Sequence, residues 1–91
     1  MSAELSADEI IAAMDPWMLA CAVGAENGSI GRRMGFDMWL RLSRKNWMPE
    51  VCMKTGASEL IIEATMREFV RQNRERHFRD VYQRPICPIS P

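Results

Sequence analysis

Ser58-Glu59-Leu60-Ile61-Ile62-Glu63-Ala64-Thr65-Met66-Arg67-Glu68-Phe69-Val70 is the stretch whose reading decides the fold. Ser58 has the short, oxygen-bearing side chain of an N-cap, Glu59 sets a carboxylate beside the positive helix end, and Gly56 lets the chain turn in. At about 100° per residue, Ile62, Thr65, Met66, Phe69 and Val70 share one stripe with Ile61 at its edge, as in a helix packed on a core. The helix is expected over 58–82. The architecture follows as all-α, a small bundle of about four to five helices that includes this long C-terminal one.

Beyond Val70 the stripe fails. The same side then carries Asn73, Arg76, His77 and Asp80, while Phe78 and Tyr82 come up on the opposite side, one turn apart. A helix that changes its apolar face needs a second surface over Phe78, Val81 and Tyr82, either the N-terminal segment folding back or another chain. Another chain is the preferred reading, and these three residues with Trp47 are the expected homodimer interface. A third stripe holds Arg67, Arg71 and Arg74, whose guanidinium groups project the same way. Glu63 stands four residues before Arg67 and Glu75 four before Arg79, so ordinary helix ion pairs are the alternative use of this charge.

Ninety-one residues make one domain, 1–82, with an extended tail, 83–91, rich in proline: Pro85, Pro88 and Pro91 cannot continue a helix. The formal charge is zero, yet all twelve Lys and Arg residues fall from Arg32 onward against seven acids, so that part carries +5 and the part before it −5. Such polarity suits an acidic segment folded over a basic one, two chains paired head to tail, or a basic face turned to an anionic partner. Eight Met and three Trp in so short a chain suit an adaptable core or a contact surface.

Cys21, Cys52 and Cys87 are widely spaced and odd in number, and His77 is the one histidine, which argues against a zinc site and a disulfide framework and for a reducing cytoplasm. No cofactor motif is present. The glycines between Gly24 and Gly35 are not followed by the Gly-Lys-Ser/Thr of a phosphate loop. The start lacks a basic-then-apolar leader, and no apolar run approaches the length of a membrane span.

Taken from the start, Ser6-Ala7-Asp8-Glu9 reads as a capping box with Leu5 placed to staple onto Ile10, opening a short helix to about residue 14. Asp15-Pro16 then sets an N-cap and a first-turn proline ahead of a nearly all-apolar helix expected to stop at Gly24. Asn27-Gly28 marks a turn. Between residues 30 and 46 a helix, with Ile30, Met34, Met38 and Leu42 on one side, competes with a strand alternating through Phe36, Met38, Leu40 and Leu42. Helix from about Asp37 is preferred, because β-branched residues are absent. A separate short helix is expected from Trp47 to Lys54, with Pro49 in its first turn.

Two helices joined at Gly56, with Cys52 four residues earlier and Val51, Ala57 and Ile62 around the joint, suggest a helix-turn-helix corner. Glu59 and Glu63 stand where base edges and phosphates would want Arg, Lys, Asn or Gln. The run from Thr55-Gly56-Ala57-Ser58 through Glu63-Ala64, with Arg67-Glu68-Phe69-Val70 after it, also resembles the second helix of ribbon-helix-helix repressors. That resemblance implies a paired β-ribbon over 38–43 and DNA as the partner.

An enzyme is not expected, for want of any catalytic constellation. The first functional reading is a small dimeric transcriptional regulator binding double-stranded DNA, with Arg32, Arg33, Arg44, Lys45, Arg67, Arg71 and Arg74 reaching phosphates. The alternative is a helical interaction module, an adaptor, antiactivator or inhibitor of a larger protein, docking through its Met- and Trp-rich surface.

Overall fold

The computed structural model describes residues 5–83, so the proline-rich tail beyond Gln83 lies outside the described residues. Those residues form five α-helices and no strand: α1 Ala7–Ala12, α2 Pro16–Asn27, α3 Phe36–Thr55, α4 Glu59–Asn73 and α5 Phe78–Gln83. The 38–43 segment is helical, so the β-ribbon implied by the repressor resemblance is absent.

Local signals open three of the helices. Ser6 Oγ accepts from the Glu9 amide while Glu9 Oε1 accepts from the Ser6 amide, closing the capping box of α1. Asp15 Oδ1 accepts from the Trp17 amide and Pro16 fills the first position of α2. Ser58 Oγ accepts from the Ile61 amide to cap α4.

α2 lies at the centre, packed against α3, α4 and α5, while α1 closes on α4. Leu19, Ala20, Ala22, Val23, Gly24 and Ala25 are all buried, which explains why its sequence shows almost no polar face. The helix does not stop at Gly24 as expected but runs to Gly28, whose φ of 84° provides the left-handed cap. Gly24 serves packing instead: a Cβ there would collide with the Ile30 side chain and come within 3.0 Å of Phe78 Cβ. Its missing side chain lets α5 sit directly on α2.

The short helix expected from Trp47 and the one expected from Asp37 are one element, α3, with Pro49 inside it. An internal proline costs about 3 kcal/mol in lost hydrogen bonding and steric conflict. Here Pro49 and Lys45, whose carbonyl would have received the missing N–H, are both exposed, so water can satisfy that carbonyl. Buried residues on both sides of the proline, Trp47 and Met48 before it and Val51 after it, hold the helix together across it.

The largest correction concerns 58–82, which is two helices. α4 ends at Asn73, and residues 74–77 form a turn before α5 begins. Asn27 Nδ2 donates to the carbonyls of Arg74 and Arg76, at 2.8 and 2.7 Å, taking up acceptors that leave the helical ladder there. Asn73, 2% exposed, donates to the Phe69 carbonyl and accepts from Arg76 Nη1. Ser29 Oγ then accepts from the Phe78 amide, and His77 Nδ1 from the Arg79 amide, to start α5. The break explains the change of apolar face. It turns Val81, fully buried, and Phe78 onto α2 of the same chain, so the N-terminal segment supplies the cover that a second chain was expected to give.

Candidate interaction surface

Arg67 and Arg71 share one side of α4, Arg74 follows as its C-cap, and with the start of α3 the three line a groove of about 310 Å³ that also contains Phe36, Met38 and Val70. Two of the three are engaged by carboxylates. Arg67 reaches Asp37 Oδ1 at 2.8 Å and Glu63 Oε1 at 3.3 Å, with its guanidinium carbon 5.0 Å from the centre of the Phe36 ring. The hydrogen bond to Asp37 is the main reason its acidity is weakened further, against the opposing effect of burial. Arg71 forms a forked pair with Glu68, donating from Nε at 2.9 Å and from Nη2. Hydrogen bonds from Arg71 and then Gln72 hold the Glu68 carboxyl down at about 2.

Arg44 crosses from α3 to meet Glu59, and its Nη1 lies 3.8 Å from Glu63. Glu59, Arg44, Glu63, Arg67 and Asp37 thus form an alternating string of charge along the seam between α3 and α4. The acids at the start of α4 are therefore partners of this chain's own cations. The Glu63 to Arg67 pair expected from spacing is present; a Glu75 to Arg79 pair is not among the ion pairs, because the 74–77 turn separates those residues.

The remaining expected phosphate contacts do not gather into one site. Arg33 Nε donates to the Glu26 carbonyl, and Arg33 shares with Arg74 a second groove that also contains Glu26 and Glu75. Arg32 and Lys45 are exposed and have no ion pair among the described residues.

The expected interface residues are used largely by the fold itself. Trp47 is 8% exposed, stacks on Trp39 with ring centres 5.9 Å apart and donates from Nε1 to Ser43 Oγ at 2.9 Å. Phe78 and Tyr82 meet Trp17 edge to face at 5.8 and 5.2 Å, leaving Trp17 and Tyr82 each about half exposed. Among the described residues no group of three or more His, Cys, Asp or Glu side chains is placed to hold a metal ion, and no helix is long and apolar enough to cross a membrane.

What the residue types alone did not locate is the outer side of α3. Met38, Leu42 and Met53 are 46, 63 and 85% exposed, and Pro49 is exposed between them. They lie opposite the buried Leu40, Trp47 and Val51. The signal was present as the four-residue spacing of Ile30, Met34, Met38 and Leu42, all of which face solvent. The first two are in the loop before α3 rather than in a helix.

No protein-family model, no curated protein and no solved structure matches the chain.

Proposed function

We propose that this chain is a helical protein–protein interaction module without enzymatic activity, docking through the solvent side of α3. The observation that carries this reading is a helix apolar on two opposite sides, of which the fold covers one. Isolated apolar residues on a surface are ordinary, but Met38, Leu42, Pro49 and Met53 line up along most of a 20-residue helix. Covering that line is worth about 25 cal/mol per Å² of apolar area removed from water.

The test is photo-cross-linking from a benzophenone side chain introduced at position 42, with position 72 on the outer side of α4 as the control. An adduct with a second protein from position 42 and none from 72 is expected in the source cells. No adduct from position 42 rejects the reading.

The DNA-binding regulator remains the second reading, supported by Arg32, Arg41, Lys45 and Arg74, which have no carboxylate partner among the described residues. In that reading the turn at Gly56, between α3 and α4, is the helix-turn-helix corner, and the chain acts as a dimer. Against it stand Glu59 and Glu63, which occupy the start of the reading helix and engage the nearby Arg44 and Arg67. Anisotropy of a random duplex at about 50 and about 200 mM salt separates the two, because phosphate contacts weaken steeply over that range. Binding that falls by orders of magnitude favours the regulator; no binding at the lower salt retires it.

A further inference from the structure

The proposed docking side of α3 has a charge pattern that selects its partner. Positions 38, 42, 45 and 49 follow the alternating four- and three-residue spacing of a seam between two helices. Three of them are apolar, Met38, Leu42 and Pro49, and the third in order is Lys45. Lys45 therefore lies within the line, where a docked helix would desolvate it. Arg41 flanks the line one turn before Lys45 and is exposed. The two carboxylates among the exposed residues of α3 already have cations: Asp37 pairs with Arg67 and Glu50 with Lys54 at 3.1 Å. Among the described residues no carboxylate pairs with Lys45 or Arg41.

We infer that the occupant is an acidic amphipathic helix of another protein, with apolar side chains at the same spacing and a carboxylate in its seam facing Lys45. This rests on the reading of the chain as an interaction module. A second copy fits poorly, since pairing this side with itself brings Lys45 and Arg41 against the same charges. Nucleic acid would meet the two cations and leave Met38, Leu42 and Met53 uncovered. An anionic membrane would share the charge preference, but Trp39 and Trp47, the large aromatic residues of α3 suited to a lipid interface, are both turned into the core.

The probe is a designed three-heptad helical peptide with a leucine seam, Glu on its flanks and one Glu in the centre of the seam, measured by fluorescence anisotropy against the full chain. A counterpart carrying Lys at the same charged positions is the control. The Glu peptide is expected to bind at least about tenfold more tightly than the Lys peptide, with Lys45→Glu reversing the order and Leu42→Glu removing binding of both. Circular dichroism of both variants should match the parent, because the two side chains are exposed.

Equal binding of both peptides, abolished by Leu42→Glu, overturns the inferred charge selection and leaves the interaction reading in place. Binding of neither peptide while position 42 still cross-links to a protein does the same, whereas neither peptide nor any cross-link overturns both. A solution dimer that Leu42→Glu converts to monomer gives the side to a second copy. Co-sedimentation with phosphatidylserine vesicles that is lost in the same variant gives it to a membrane. Either of these results overturns the acidic-helix inference.

Discussion

α3 and α4 lie side by side and are joined by one short turn, yet they treat their outward sides differently. α4 buries Ile62, Met66, Phe69 and Val70 on one stripe; beyond its first turn, where Leu60 and Ile61 are exposed, its outer side carries Arg67, Glu68 and Arg71, all held in ion pairs. α3 buries an equally apolar stripe and then presents a second one to solvent. A helix on the outside of a fold needs one covered stripe. The outer stripe of α3 is therefore surplus to the fold, and surplus apolar surface is where a partner is to be sought.

The comparison can be broken most severely from inside α4. Phe69, fully buried, should cost about 3 to 5 kcal/mol as Phe69→Ala, read from the shift in a urea unfolding curve. Leu42→Ala on the outer side of α3 should stay within about 0.5 kcal/mol in the same assay. A cost near that of a core residue would mean that the outer stripe serves the fold after all.

Next in size is Gly24→Ala, where the new methyl group would meet Ile30 and Phe78; about 1 to 3 kcal/mol is expected from the forced repacking. Asn27→Ala should cost a similar amount, about 1 to 3 kcal/mol, by depriving the Arg74 and Arg76 carbonyls of their donor. Faster amide hydrogen exchange in α5 should accompany the loss, with α4 little changed.

The smallest effect belongs to the charged side of α4. Glu68 is held at about 2 against an ordinary 4.5, so its folded form favours the ionised carboxyl. Its contribution to stability is present above about pH 4.5 and is lost as the pH falls towards 2. Arg71→Ala should move the Glu68 titration upward, observable by NMR of its side-chain carboxyl. Because both partners of the pair are in contact with solvent, the accompanying change in midpoint should be slight.

The parts of this structure legible in the sequence are those decided within one turn of chain. The capping box at Ser6, the cap and proline at Asp15 and Pro16, and the Ser58 cap each involve groups two or three residues apart. The stripe from Ile62 to Val70 was equally readable, and so was the Glu63 to Arg67 pair. What escaped depends on residues distant in sequence. Gly24 reads as a helix stop until Ile30 and Phe78 are seen against it, and no glycine or proline between residues 58 and 82 announces the turn at 74–77. Among the candidate site residues, spacing shows that Arg67 and Arg71 share a side, but the engagement of Arg44 by Glu59 crosses between helices and has no local signature.

Asn27 has one further consequence, for the order of folding. Its bonds to the Arg74 and Arg76 carbonyls span 47 and 49 residues of chain, so they form only after a long loop has closed. Until then the 59–83 segment has no glycine or proline to break it, and the local bonds of Asn73 and His77 stand without the donor that takes up the Arg74 and Arg76 carbonyls, so it is free to extend as a single helix. A peptide of that segment should be continuously helical through residues 74–77, and the bend should appear only when α2 is present to receive it.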